Sequence, residues 1–318
     1  MTEILLPLGS LILGFALLIW SADEFTDSGA KVANIFNISP LIIGMLIFGF
    51  GTSAPEMLVS GLAAMQGNTG ISIGNAVGSN IFNIALVLGV SAIIVPIKLN
   101  DDIIKKESLF LMVATICAGL LLYWDRRLDV VDGLILLSLL VLFFLYTFKQ
   151  SKNKSHNEFE ELEQSVNKSE ITKTWLMLII SLAVLVFSAK LVVWGGSSLA
   201  KIAGISDLVI GLTVIALGTS LPELAVSISS VLKNQFEMVV GNVIGSNIFN
   251  TIAVLAIPGI IQPSNVPAEV FSRDYPIMLL LTAMLFFVSY NFKKNNTISR
   301  FKGFILVSVF CYYMWILF

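Results

Sequence analysis

Gly51-Thr52-Ser53-Ala54-Pro55-Glu56 is a polar, helix-breaking hexapeptide set in an otherwise apolar stretch, and the chain carries it twice. It returns 167 residues later as Gly218-Thr219-Ser220-Leu221-Pro222-Glu223. The offset holds without a gap from Ile38 to Asn83 and from Ile205 to Asn250, and 20 of the 46 aligned positions are identical. A second run of identities closes each repeat: Gly74-Asn75-x-x-Gly78-Ser79-Asn80-Ile81-Phe82-Asn83 and Gly241-Asn242-x-x-Gly245-Ser246-Asn247-Ile248-Phe249-Asn250. Both motifs place polar groups where an apolar segment should have none, which makes the repeat a statement about function as well as ancestry.

The rest of the chain says in what solvent those groups sit. At 56% hydrophobic and 13% charged residues, with a mean hydropathy of +0.90, it lies well outside the soluble range of roughly 25% charged. It reads as an all-α integral membrane protein. The first apolar run, Ile4 to Trp20, follows Thr2 and Glu3 rather than a basic segment and is read as a transmembrane helix, not a signal peptide. Cys117 and Cys311 fall in apolar spans as small hydrophobes, and His156 falls in a charged, solvated linker. A net charge of −2 offers no attraction to nucleic acid.

A helix needs about 20 apolar residues to cross a ~30 Å hydrocarbon core. Ten such segments are expected, near 4 to 22, 39 to 66, 71 to 95, 107 to 124, 129 to 148, 173 to 195, 205 to 233, 237 to 262, 274 to 291 and 300 to 317. Lys149 to Lys173, with five Lys and five Glu, separates five spans from five. The chain therefore divides into an N-terminal half (1–148, with its motif at 38–83), a cytoplasmic linker (149–172) and a C-terminal half (173–318, with its motif at 205–250). With the N-terminus outside, the inner connections hold 14 Lys and Arg and the outer ones 4, so the positive-inside rule sets both termini outward. Five crossings separate the starts of spans two and seven. The repeats therefore run in opposite directions, the inverted plan of secondary transporters, with broken helices 2, 3, 7 and 8 expected to form the core.

Pro55 has no N–H for the carbonyl of Gly51, and its ring pushes that carbonyl away. Backbone oxygens around residues 49 to 53, and around 216 to 220 in the second repeat, are expected to be freed at mid-membrane depth, where only a ligand can satisfy them. Every side chain of the motif is an oxygen donor: Thr52, Ser53 and Glu56, joined by Ser79 and Asn83, and in the second repeat Thr219, Ser220, Glu223, Ser246 and Asn250. Such a set suits a hard cation, since calcium takes six to eight oxygens, and contains no His or Cys for a softer metal. No Lys or Arg lies in spans two, three or eight, and span seven carries one only at its end, Lys233. The charge that compensates two buried glutamates must therefore come from outside the protein: one divalent cation or two monovalent ones. The glycines read as packing positions, and Asn75, Asn80, Asn242 and Asn247 as supporting or capping groups.

These paired motifs, on two five-helix halves, resemble the alpha repeats of the calcium/cation antiporter superfamily, most of all its prokaryotic sodium/calcium exchangers. The resemblance covers essentially all ten spans. It implies calcium between Glu56 and Glu223, helped by carbonyls near Thr52 and Thr219. It also implies sodium sites built from Gly49, Ser53, Glu56, Ser79, Ala216, Ser220, Glu223 and Ser246, with Asn83 and Asn250 completing a central ring. Helices one and six would slide past the core through Leu5 to Trp20 and Ile179 to Trp194. Many members carry an aspartate at one of the ring positions where this chain has Asn83 and Asn250, and the linker is too short for the calcium-sensing domains of animal exchangers.

The expected function is sodium/calcium antiport across the plasma membrane of a prokaryote. Its partners are calcium, sodium and the bilayer, with no prosthetic group and no obligate protein partner expected. The rival on the same scaffold is proton/calcium antiport, in which the glutamates would take protons. The hydroxyls of Ser53, Ser79, Ser220 and Ser246 favour sodium, because protons need no such ligands. A channel would need a symmetric ring of subunits. An enzyme would need a nucleophile with its base or an activated water, and neither accompanies the pair.

Overall fold

The computed structural model describes residues 2–36, 38–98, 101–155, 168–204, 216–289 and 297–317. Its helices are α1 (Thr2–Ile35), α2 (Pro40–Met65), α3 (Thr69–Ile94), α4 (Asp101–Asp125) and α5 (Val130–Ser155), followed by α6 (Lys168–Ile202). Then come α7 (Ala216–Thr219 and Leu221–Leu232), α8 (Phe236–Ile261), α9 (Val270–Asp274 and Tyr275–Ser289) and α10 (Arg300–Leu317). Among the described residues, nine helices are long and apolar enough to cross a membrane, and Leu221–Leu232 is a shorter apolar helix. The first half of the expected seventh span, 205–215, lies outside the described residues, as does His156.

Three helices outrun their expected ends. Hydropathy stops α1 near residue 22 at Asp23 and Glu24, yet the helix continues without a break to Ile35. The polar turn is held in place: Lys233 Nζ lies 2.7 Å from Asp23 and 2.6 Å from Asp27, and Ser229 donates to Asp23 at 3.1 Å. Burial alone would lower the Lys233 ammonium, but hydrogen bonds and charge from Asp23 and Asp27 outweigh it and hold it above the usual lysine range. Likewise α6 starts at Lys168 and α5 runs to Ser155, because Lys, Glu and Gln are good helix formers that carry a helix out of the bilayer. The linker is shortened from both ends.

The molecule is sorted by burial. In the apolar window of α8, 83% of residues are buried, and in that of α3, 72%, against 22% in α1. Helices α3 and α8 are thus the core and α1 the periphery. Leu6, Ile12 and Ile19 of α1, and Ile179 and Phe187 of α6, point outward as a lipid-facing surface would. The helices α1 and α6 pack closely and antiparallel: Ser10 Oγ donates to the Leu191 carbonyl at 3.0 Å, Gly14 faces Val192, and Gly195 faces Pro7 and Leu11.

Glycines set the central crossing. A β-carbon on Gly44 would lie 2.7 Å from the Met238 carbonyl oxygen, and one on Gly49 would lie 2.8 Å from Ser246 N. Moving along α2 from Gly44 to Gly49 therefore moves along α8 from Met238 to Ser246, and the two helices run parallel. Helices α7 and α8 form an antiparallel hairpin, so α2 and α7 run opposite ways, the relation that an inverted repeat requires.

Two-residue strands tie the ends: β1 (Ile97–Lys98) pairs antiparallel with β4 (Thr297–Ile298), and β2 (Arg127–Leu128) with β3 (Ser264–Asn265).

Candidate cation site

The hexapeptide breaks its helix at one residue. In α2 the helix ends at Thr52, turns at Ser53 and restarts at Ala54; α7 turns at Ser220 and restarts at Leu221. Pro55 and Pro222 fall in the first turn of the restarted helix, where a missing N–H costs nothing. Glu56 and Glu223 then sit in that same first turn, near its positive dipole end. In α3 and α8 the interruption takes another form, a π-helical widening over Asn83–Leu88 and Asn250–Val254. Such turns are rare and concentrate at functional sites.

The expectation of freed carbonyls around residues 49 to 53 is corrected at two of them. Ser53 N–H donates to Gly49 O at 3.2 Å and Met57 N–H to Ser53 O at 3.1 Å, while Leu224 N–H reaches Ser220 O at 3.2 Å. A one-residue turn lets the backbone close across the proline. Unsatisfied oxygens are present in the side chains.

Glu56 is 0% and Glu223 1% exposed. Each receives a serine from the opposite repeat: Ser220 Oγ donates to Glu56 Oε1 at 3.2 Å, and Ser53 Oγ to Glu223 Oε1 at 3.5 Å, the limit of a hydrogen bond. The second oxygen of each carboxylate has no partner, and neither do the amide oxygens and nitrogens of Asn83 and Asn250, all buried. No ion pair to either glutamate occurs among the described residues. Buried polar atoms are normally satisfied, so the unused oxygens of these four side chains, two of them acids, leave capacity that a ligand bringing positive charge could take up.

Thr52 is fully buried and donates to Phe48 O at 2.8 Å, with Ser246 Oγ and Asn242 Oδ1 each at 3.4 Å. Ser246 Oγ also reaches the Gly49 carbonyl at 3.4 Å. Ser79 is buried one turn before Asn83. Thr219 is half-buried beside Ser220, and Ala216 opens the first segment of α7. The structure thus joins Gly49, Thr52, Ser53, Glu56, Ser220, Glu223 and Ser246 through direct contacts.

Two clamps complete the picture. Asn75 Nδ2 donates to the Glu56 carbonyl at 3.1 Å and to Ser60 Oγ at 3.0 Å. Asn242 Nδ2 repeats this on the Glu223 carbonyl at 3.2 Å and Ser227 Oγ at 2.9 Å. Every member is displaced by the same 167 residues. These bonds fix the backbone of each glutamate to the neighbouring helix. Ser60 and Ser227 were absent from the expected set, although their identity within the repeat was the available signal.

The chain is similar to known proteins along nearly its whole length. The sodium/calcium exchanger protein family matches residues 6–149 and 173–318. A protein of Alkalimonas amylolytica named as an antiporter, CaxA, is 40% identical over 310 residues, covering 96% of this chain and 97% of its own. The sodium/calcium exchanger MaX1 of Methanosarcina acetivorans is 30% identical, covering 97% of both. The solved structure of the sodium-calcium exchanger NCX_Mj, soaked with 10 mM Na+ and zero Ca2+, superposes with a TM-score of 0.85 at 34% identity and 97% coverage of both chains. The chain belongs to the sodium/calcium exchanger family, among its prokaryotic members.

Proposed function

We propose that this chain exchanges sodium for calcium across the plasma membrane by alternating access, the ions taking turns between Glu56 and Glu223. The observation that carries the reading is the set of unused, buried oxygens on Glu56, Glu223, Asn83 and Asn250. A transported ion that must leave again needs incomplete satisfaction in its absence, and competing ions need shared oxygens. Two carboxylates balance one Ca2+ or two Na+, and Ser53, Ser220, Thr52 and Ser246 offer the neutral oxygens that complete a hard-cation shell. Gly49, Ser79, Ala216 and Thr219 are assigned to the flanking sodium and carbonyl positions.

The two-half organisation is part of the same proposal: 1–148 and 173–318 as inverted five-helix repeats joined at 149–172, with both termini outside and no protein partner required. Ten crossings account for the pairing of β1 with β4. Those strands share a face only if an even number of crossings separates them; α4, α5, α6, α8 and α9 make five, and α7 makes the sixth.

The test is calcium-45 uptake into proteoliposomes loaded with sodium at equal pH on both faces, compared with vesicles holding choline and a proton gradient. Uptake is expected only with the sodium gradient. Uptake driven by the proton gradient alone would overturn the choice of coupling ion.

A further inference from the structure

Outside the central site, one more group of side chains repeats at the offset of 167. Lys106, Glu107 and Tyr146 correspond to Arg273, Asp274 and Tyr313: a base followed directly by an acid, with a tyrosine 39 residues after it. The equivalence extends to packing. Phe82 meets Phe310 edge-on at 5.5 Å and 89°, and their counterparts Phe249 and Phe143 meet at 6.0 Å and 87°. Glu107 follows β1 and Asp274 follows β3 at the same distance along the chain. The two trios therefore lie near opposite faces of the membrane.

Equivalent in sequence, they differ in state. Asp274 is gripped on three sides: Arg273 Nε donates to Oδ1 at 2.7 Å, Arg273 Nη2 to Oδ2 at 3.3 Å, and the Tyr313 hydroxyl to Oδ1 at 3.1 Å. Glu107 is equally interior, at 0% exposure, yet neither of its oxygens has a partner. Lys106 is exposed, and the Tyr146 ring stacks on Phe110 at 6.4 Å. The backbone differs at the same place. Val270–Asp274 is a π turn, whereas the equivalent residues 103–107 are ordinary α-helix within α4. A π turn holds about one extra residue, which rotates the preceding side chains about the axis by roughly 100°.

An inverted-repeat transporter changes access when its halves exchange conformations. A buried acid without a partner, opposite a symmetry-related acid that is fully bonded, is what one latch open and one latch closed would look like. We propose that the two trios are alternately formed latches that hold the two access states. In the state described, Arg273–Asp274–Tyr313 is closed. In the opposite state, residues 103–107 take up the π turn, Lys106 and Tyr146 close on Glu107, and Arg273 is released. The proposal rests on the alternating-access reading above.

The test is amide hydrogen exchange of the full chain in lipid nanodiscs. Amides of 270–274 exchange when their latch opens, so their rate reports the population of the opposite state. Glu107→Gln removes a bond formed only in that state. It is expected to slow exchange of 270–274, at the far face, by about tenfold, the effect of losing one charge-assisted hydrogen bond. Lys106→Met, an exposed change that spares folding, is expected to act in the same direction, whereas a purely local role for Glu107 would leave 270–274 untouched. Unchanged or faster exchange there in both variants would overturn the latch. Because the readout needs no calcium flux, coupling in a chain that carried no calcium would overturn the transport reading alone, and a transporting chain without coupling would overturn the latch alone.

Discussion

Replacing Glu56 or Glu223 by Gln is expected to abolish calcium exchange while leaving the protein folded. Removing one partner of a buried charge interaction costs about 2–5 kcal/mol, or about 30-fold to several thousand-fold in affinity. Gln keeps the volume of the side chain and the oxygen to which Ser220 or Ser53 donates. It also relieves the burial of a charge that has no ion-pair partner among the described residues. The unliganded variants should therefore melt no earlier than the wild type. Thermal unfolding with and without calcium separates the two effects: a ligand at about 100 times its Kd adds about 2.7 kcal/mol, and that stabilisation should vanish in both variants. A variant that still gains stability from calcium and still exchanges it would remove these glutamates from the site.

Gly245→Val is expected to prevent the core from forming. A β-carbon at Gly245 would run into the Met45 carbonyl oxygen, with Met45 Cα at 2.7 Å and Met45 C at 2.9 Å. Overpacking against side chains typically costs about 1–3 kcal/mol because rotamers shift. Here the obstacle is backbone, and relief requires α2 and α8 to separate where Thr52 and Gly49 meet Ser246. Gly61→Ala is the control, since its β-carbon would meet only Ile257 Cγ2 at 3.9 Å. Folded yield and melting temperature should collapse for Gly245→Val and stay near wild type for Gly61→Ala; equal behaviour would contradict the crossing.

Much of this was legible in the sequence because membrane burial makes polar residues conspicuous. The duplicated hexapeptide gave the break, the two acids and their serines, and the structure brings those residues into contact across the repeats. The details that escaped depend on three-dimensional closure. Nothing local announces that α1 continues past Asp23, because its stabilising cation, Lys233, is more than 200 residues away. The rule that proline frees a carbonyl four residues back is sound, but a single turn residue at Ser53 lets the neighbouring carbonyls find donors. The π turns at Asn83 and Asn250 leave no mark in hydropathy, since widening a helix changes no residue. The Lys106 and Arg273 trios lie outside the gapless repeat, where the identities thin out and only geometry restores the correspondence.

In the proposed exchange, sodium and calcium compete for oxygens of the same two glutamates. Calorimetric titration of calcium into the purified protein at a series of sodium concentrations tests it most directly. Rising sodium is expected to weaken calcium binding progressively without changing the number of calcium ions bound per chain, and Glu56→Gln and Glu223→Gln are expected to bind none. A calcium affinity that sodium leaves unchanged would contradict a shared site.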